Sequence, residues 1–101
     1  MAILAIITAN GFTRQMYDTV RKEVGWEYSY PPGAMVHAAS FDENGNIHVA
    51  DLWHSQENME DFVNTRLMPV IQQNNFPLPQ VEVYPVHNVN AYADVQQHIL
   101  S

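Results

Sequence analysis

The stretch Gly33–Ser55, GAMVHAASFDENGNIHVADLWHS, decides the fold, because two runs of alternating residues flank a turn signal within it. Asn44-Gly45 is typical of a two-residue hairpin loop, since both central positions of that turn need positive φ. A loop of this length pairs Ala38 with Asp51 and places both, with Trp53, on one face of the hairpin. The three histidines of the hairpin are then expected on the opposite face: His37, His48 and His54.

The composition of the 101 residues fits one folded domain with a modest core. Eleven acidic residues against four basic ones give a net charge of −7, which argues against binding to nucleic acid or to an anionic membrane. The absence of cysteine excludes disulfides and thiolate chemistry and fits a reducing cytoplasm. The apolar run near residue 1 is too short for a membrane span and has no basic residues before it, unlike a signal peptide. We therefore expect a cytoplasmic protein without a nucleic-acid or membrane partner.

The residues before the hairpin predict a strand followed by a helix. Residues 2–8 form a β-rich apolar run, which is typical of a central strand that is covered on both faces. Thr13 is a good N-cap and Gly25 a good C-terminal cap for a helix over residues 14–24. The polar residues of this helix are expected to face water: Arg14, Asp18, Arg21, Lys22 and Glu23.

The connection Trp26–Gly33 carries three aromatic residues and ends in two prolines and a glycine. Two interpretations of this segment stay open. It is either a loop that folds over the edge of the sheet, or the wall or lid of a pocket.

A second helix is predicted over residues 56–73, where apolar residues recur at helical spacing after an N-cap at Ser55. Pro69 lies inside this helix and cannot donate the backbone hydrogen bond to Thr65, so we expect a kink or a break there. Residues 80–86 alternate in polarity and predict the last strand.

The order of elements, βαββαβ, indicates a ferredoxin-like α+β domain over residues 1–88. Both helices are expected on one face of a four-stranded antiparallel sheet, which leaves the other face open. Apolar residues on that face favour a homodimer in which two sheets pair face to face, as in a dimeric α/β barrel. Residues 89–101 form a polar tail with an apolar stripe, which we expect to make a short helix packed on the partner subunit.

Three stretches of the chain carry a resemblance to a known superfamily. The junction between the hairpin and the second helix has four characteristic residues at alternate positions: Val49, Asp51, Trp53 and Ser55. The other two stretches are Arg66-Leu67-Met68-Pro69 and the end of the last strand, Tyr84–Asn88. With the element order, they resemble the antibiotic-biosynthesis-monooxygenase-like dimeric α/β-barrel superfamily, and within it small bacterial members of unassigned function. The resemblance covers residues 1–88.

Characterised relatives in this superfamily include cofactor-independent monooxygenases that oxidise polyketide aromatics, and haem-degrading enzymes. The resemblance implies that Trp53 lines a cleft between the sheet and the helices. The histidine that the haem degraders carry on the second helix is absent from the corresponding region, Phe62-Val63, so we do not expect haem degradation. The asparagine that the polyketide oxidisers use is replaced by Val49.

Asp51 and Arg66 are the candidate catalytic residues. An aspartate on an apolar sheet face is costly unless it is paired, and Arg66 is the basic residue of the second helix. Either the two form a structural ion pair, or Asp51 accepts a proton from a bound phenol or enol while Arg66 stabilises the developing oxyanion. The residues expected to line the ligand pocket are Trp53, Tyr17, Phe62, Ala38 and His87, the last of which could instead cap the final strand.

We expect neither a metal nor an organic cofactor. The spacing of the histidines matches no metal-ligand motif, and the four glycines form no phosphate-binding loop. Two functions stay open. One is an oxygenase-type enzyme, without metal or flavin, that acts on a small aromatic or enolic metabolite. The other is a non-catalytic dimeric module that binds a small apolar ligand or serves as an accessory subunit.

Overall fold

The computed structural model describes residues 1–100 as a four-stranded antiparallel sheet with helices on one face. The strands are β1 (Ile3–Ala9), β2 (Ala34–Phe41), β3 (Ile47–Trp53) and β4 (Gln80–Pro85). They follow the order β2-β3-β1-β4 across the sheet, and each neighbouring pair is antiparallel. The predicted ferredoxin-like α+β fold is confirmed.

The first helix, α1, covers Arg14–Val24 as predicted, and both of its caps are in place. Thr13 Oγ1 accepts the backbone N–H of Met16 at 3.2 Å. Gly25 ends the helix in the left-handed conformation, with φ 73, and donates its N–H to the carbonyl of Arg21. One prediction for this helix is wrong, because Arg21 is 7% exposed and does not face water.

The second helical region has three parts: α2 (Gln56–Phe62), a π-helical turn (Val63–Leu67) and α3 (Met68–Gln73). Ser55 caps α2 by accepting the backbone N–H of Asn58 at 3.0 Å. Pro69 lies in the first turn of α3, where a missing N–H is tolerated. The interruption that was predicted at Pro69 therefore takes the form of a π turn directly before it.

The hairpin between β2 and β3 has a three-residue loop, so the predicted register is wrong by one residue. Asp42 and Asn46 close the loop through a backbone hydrogen bond of 3.0 Å. Gly45 has a φ of 82, whereas Asn44 stays outside the positive-φ region. The Asp42 carboxylate also accepts the backbone N–H groups of Asn44 and Asn46, at 2.9 and 3.0 Å. These bonds favour a type I turn followed by a bulge over the predicted two-residue turn.

The shift in register changes which β2 residues share a face with β3. Asp51 is paired with His37, and Ala50 is paired with Ala38. His37 therefore lies on the face that the helices cover, and Ala38 lies on the open face. Both positions reverse the prediction, while Asp51 and Trp53 lie buried under the helices as predicted.

The core lies between the sheet and the helices as two adjoining clusters of buried residues. One cluster contains Ala9, Phe12, Val20, Ile47, Val49 and Ile71. The other contains Ile3, Ala5, Trp53 and Met59. The opposite face of the sheet carries exposed and half-buried apolar side chains: Leu4, Ile6, Val36, Ala38, Ala50 and Leu52.

The chain continues beyond β4 as an extended segment and a 3-10 helix at Ala93–His98. Val86 still belongs to the sheet edge, because its N–H donates to the carbonyl of Ala2 at 3.0 Å. Several apolar residues of the tail are exposed: Tyr92, Val95, Ile99 and Leu100. Ser101, the last residue of the tail, lies outside the described residues. Within residues 1–100, none of the helices has the length and apolar character needed to cross a membrane.

Candidate functional site

Three side chains form a hydrogen-bonded series under the helices: Tyr17, His37 and Asp51. The Tyr17 hydroxyl oxygen lies 2.8 Å from His37 Nε2, and His37 Nδ1 lies 2.7 Å from Asp51 Oδ1. Because a carboxylate can only accept, we assign the imidazole proton to Nδ1, and Nε2 of the neutral ring then accepts the Tyr17 hydroxyl. A histidine that a carboxylate orients in this way is suited to take a proton at Nε2.

Each member of the series comes from a different element, and local structure fixes all three. His37 of β2 and Asp51 of β3 are direct cross-strand partners. Tyr17 lies in the first turn of α1, where its backbone N–H donates to the carbonyl of the N-cap residue Thr13 at 2.9 Å. The series therefore depends on the hairpin register and on the capped start of α1.

The series runs from a buried end to a partly open end. Asp51 is 7% exposed, whereas the side chain of His37 is 35% exposed. Burial, assisted by the negative charge of Glu27, raises the pKa of Tyr17 from 10.0 to about 12. Tyr17 therefore stays neutral near physiological pH and keeps its proton as a donor to His37.

Aromatic rings surround the exposed end of the series. The ring centroid of Trp26 lies 5.2 Å from that of His37 and 5.8 Å from that of Tyr17. The ring of Phe62 lies 6.5 Å from that of Trp26 and 5.5 Å from that of Trp53. The indole N–H of buried Trp53 has no hydrogen-bond partner within residues 1–100. The rings that surround Trp26 form flat apolar walls, which suit an aromatic ligand.

Arg21 brings a buried positive charge to the same region, because it lies one helical turn after Tyr17. Its Nη1 donates to Glu27 Oε1 at 3.0 Å. Its Nε lies 3.6 Å from Asp18 Oδ1 and makes no hydrogen bond to the described residues. Sequence reasoning missed Arg21, and the spacing from Tyr17 was the one signal that could have found it.

The structure does not bring Arg66 to Asp51. The Arg66 guanidinium donates to the carbonyl of Val24 at 3.0 Å and lies 5.4 Å over the Phe62 ring. The predicted Asp51–Arg66 ion pair is therefore wrong, since Asp51 is paired with His37. Arg66 instead ties the π turn to the end of α1.

Three of the expected pocket residues contribute to this region: Tyr17, Trp53 and Phe62. Ala38 does not, because it lies on the open face of the sheet. His87 is exposed beyond the end of β4, and β1 separates β4 from β3. His37 was missed as a site residue because the predicted register placed it on the open face. Across residues 1–100, no three His, Cys, Asp or Glu side chains are grouped so that they could hold a metal ion.

No protein-family model and no curated protein matches the sequence, whereas solved structures match the fold over most of the chain. NE2512, a protein of unknown function from Nitrosomonas europaea, has a TM-score of 0.67 at 13% identity, covering 91% of this chain and 94% of that one. SnoaB, a cofactor-independent oxygenase from Streptomyces nogalater, has a TM-score of 0.60 at 9% identity, covering 87% and 93%. A Deinococcus radiodurans protein, provisionally assigned as an antibiotic biosynthesis monooxygenase, has a TM-score of 0.60 at 11% identity, covering 91% and 98%.

The chain has the fold of the antibiotic-biosynthesis-monooxygenase-like proteins. The resemblance read from the sequence is confirmed at this level. At such low identities the likeness concerns the fold, so the roles of Tyr17, His37 and Asp51 are argued from their own geometry.

Proposed function

We propose that the protein is an enzyme that deprotonates a small phenol or enol, whose anion then reacts with O2 without a metal or organic cofactor. The observation that carries the proposal is the series Tyr17–His37–Asp51, in which a buried carboxylate orients an imidazole beside aromatic walls. The fold shared with SnoaB, a cofactor-independent oxygenase, supports the same class of reaction.

His37 acts as the base, and Tyr17 connects it to the substrate. The substrate hydroxyl donates its proton to the Tyr17 oxygen while the Tyr17 proton passes to His37 Nε2, so Tyr17 stays neutral. A concerted transfer suits a tyrosine whose pKa is raised to about 12, because a free tyrosinate is costly at that position. Asp51 stabilises the resulting imidazolium through the hydrogen bond at Nδ1.

The deprotonated substrate supplies the electrons that reduce O2. Its electron-rich carbon, which still bears one hydrogen, forms a C–O bond, and the terminal oxygen takes the proton back from the His37 imidazolium. Loss of water from the H–C–O–O–H group then leaves a carbonyl. The net conversion of CH2 and O2 into C=O and H2O balances without an external reductant. The protein therefore has to supply a base, an orientation and a site that excludes water.

Oxygen uptake by chelator-treated protein tests this proposal, with acidic polycyclic phenols and enolisable tricyclic ketones as probe substrates. We expect His37→Asn to lower kcat by about 100-fold or more, the contribution of a positioned base. His54→Asn is the matched control, because His54 is exposed and lies outside the series. Uptake that survives unchanged in His37→Asn would contradict the proposal.

A second function, non-catalytic binding of a small aromatic ligand, is favoured by one observation. Nε2 of His37 is already occupied by the Tyr17 hydroxyl, as in a structural hydrogen-bond network. The same aromatic walls would then hold a ligand without proton transfer. Binding of the probe compounds without O2 uptake would assign this function instead.

We further propose that two copies pair through the open face of the sheet. Val36 is 39% exposed on this face, and Ala38 and Ala50 line a shallow hollow of about 300 Å³. An exposed apolar face of this kind usually marks an interface, and a two-fold axis closes it. The tail from residue 89, with its exposed apolar side chains, would pack on the second copy.

Analytical ultracentrifugation tests the pairing. The wild-type chain should sediment as a dimer, and Ala50→Glu should sediment as a monomer because it buries an unpaired charge at the interface. Lys22→Glu, a charge change on α1, should leave the dimer intact. A wild-type monomer at all concentrations would rule out the pairing.

A further inference from the structure

The segment Gly25–Gly33 folds over the site and places two of its side chains there. Trp26 packs against the His37 ring, and Glu27 bonds to the buried Arg21. The residues that follow point away, since Tyr28 is 91% exposed. Of the two interpretations that the sequence left open, the geometry supports the wall or lid of a pocket.

The indole of Trp26 occupies a position that an aromatic ligand would suit. Its ring meets Tyr17, His37 and Phe62 at interplanar angles of 54°, 60° and 66°. Tilted and edge-on contacts of this kind are the arrangements that aromatic rings prefer. A planar ring of similar size in the same place would make the same contacts.

The carboxylate of Glu27 occupies the place of an anion. It accepts from Arg21 Nη1 at 3.0 Å, and its negative charge helps to raise the pKa of Tyr17, so it lies within electrostatic reach of that hydroxyl. Arg21 is 7% exposed, and its other carboxylate, Asp18, lies 3.6 Å from Nε, so loss of Glu27 would leave the buried Nη1 without its hydrogen-bond partner. Any movement of Glu27 away from Arg21 therefore favours a replacement anion from a ligand.

Backbone hydrogen bonds hold both ends of the segment. The carbonyl of Gly33 accepts the N–H of His54 at 2.8 Å, and its Cα lies so close to Asn58 that a Cβ would fall 2.6 Å from Asn58 Cβ. The Gly25 N–H donates to the carbonyl of Arg21 at 3.0 Å, and the Gly25 carbonyl accepts the N–H groups of Tyr28 and Ser29 at 3.1 and 2.9 Å. Opening of the site therefore means rotation of the Trp26 and Glu27 side chains between these fixed points.

We propose that Trp26 and Glu27 occupy the ligand position as a built-in plug, and that the ligand is a planar aromatic of two or more rings that bears an anionic oxygen. The ring system takes the place of the indole, and the anionic oxygen takes the place of the Glu27 carboxylate on Arg21. This inference rests on the proposed function, because a ligand held there brings its hydroxyl or enol to Tyr17. It adds the anionic group of the substrate and assigns Arg21 as the residue that selects it.

Binding of 2-naphthoate, measured by equilibrium dialysis, tests the plug, with 2-naphthamide as the neutral isostere. A plugged site lowers the apparent affinity by the fraction of molecules that are open. We expect the double variant Trp26→Ala/Glu27→Gln to bind 2-naphthoate about tenfold more tightly than the wild type or better. Tyr28→Ala, from the exposed part of the same segment, is the matched control and should leave the affinity unchanged.

Glu27→Gln alone separates the two halves of the plug. It retains size and hydrogen-bonding capacity, so it should fold, and it should tighten binding of 2-naphthoate while leaving that of 2-naphthamide unchanged. Equal or weaker binding of 2-naphthoate by the double variant and by Glu27→Gln would overturn the proposal, because both residues would then belong to the wall of the site.

The indole N–H signals in ¹H–¹⁵N spectra provide a second measurement on the wild-type chain, which has two tryptophans. Saturating 2-naphthoate should shift the Trp26 signal, because the indole leaves the rings of Tyr17, His37 and Phe62, whereas a Trp26 signal that keeps its position would overturn displacement. None of these assays needs turnover. Displacement of Trp26 without O2 uptake by any substrate would support the plug and contradict the proposed oxygenase. O2 uptake without displacement of Trp26 would support the oxygenase and contradict the plug.

Discussion

Replacement of His37 by alanine tests how strongly the buried Asp51 depends on its partner. The substitution leaves a carboxylate that is 7% exposed without its 2.7 Å hydrogen bond. Leaving a buried charged group without its hydrogen-bond partner costs about 3 kcal/mol or more. Because the His37 side chain is 35% exposed, water replaces part of the lost interaction, and we expect a loss of about 2 kcal/mol in the free energy of unfolding. For a domain of this size, that lowers Tm by roughly 8–16 °C.

A double-mutant cycle separates the pair from the other contacts of each side chain. Urea unfolding of His37→Ala, of Asp51→Ala and of the double variant should give a coupling of about 1–2 kcal/mol. The hairpin offers a matched control, Asp42 and His48, which lie 2.9 Å apart but are exposed by 35% and 54%. Solvent should reduce the coupling of that pair to an unmeasurable value. If the two cycles give equal couplings, burial does not strengthen the Asp51 bond, and Asp51 does not hold His37 in place.

Two further predictions concern the packing of the segment and the burial of Tyr17. Gly33→Ala should lower the free energy of unfolding in urea by about 2–3 kcal/mol, because its Cβ would overlap Asn58 and its φ is 83. Gly45→Ala, the matched control, has a φ of 82 and open space around it, so it should lower this free energy by only about 1 kcal/mol. Equal costs would refute the close approach of Gly33 to Asn58. The raised pKa of Tyr17 means that the folded state holds this proton more tightly than the unfolded state. The stabilisation that this proton gives the folded state is fully present below about pH 10 and is lost as the pH rises through about 12. After allowance for partial exposure, the loss in the free energy of unfolding is about 1–2 kcal/mol. Urea midpoints across that range should show this loss in the wild type but not in Tyr17→Phe, and identical profiles would refute the burial of the hydroxyl.

Local signals predicted most of the fold. Thr13 and Gly25 set the bounds of α1 at the predicted residues, because a side-chain N-cap and a left-handed glycine are short-range features. The second helical region also covers residues 56–73 as predicted. The π turn before Pro69 could not be predicted, because its i to i+5 bonding has no sequence pattern of its own.

The hairpin register failed because Asn44-Gly45 is compatible with more than one loop length. The residue that decides is Asp42, whose carboxylate accepts two backbone N–H groups and stabilises a type I turn that ends at Gly45. Aspartate at the first position and glycine at the fourth is a recognised pattern for that turn, so the signal was present in the sequence. A slip of one residue moves the β2 side chains from Val36 to Phe41 to the other face, whereas a bulge before Val36 keeps Ala34 opposite Trp53.

The site was predicted in part for the same reason. The alternation of the two faces along β3 placed Asp51 and Trp53 correctly on the face that the helices cover, whereas the face of His37 depended on the hairpin register. Arg21 was missed despite its spacing from Tyr17, because a charged residue on a helix is normally solvated and its burial depends on Glu27, which follows the end of α1.

The partner of Asp51 links the register of the hairpin to the chemistry of the site. A two-residue loop would set Ala38 opposite Asp51 and would leave a buried carboxylate without a partner, at a cost of about 3–5 kcal/mol. The three-residue loop sets His37 there instead, and Nε2 of that histidine then meets the Tyr17 hydroxyl. The pair that stabilises the fold is thus the pair that orients the proposed base. Variants that restore stability to a His37-deficient chain by making residue 51 apolar should therefore fold well and take up no oxygen.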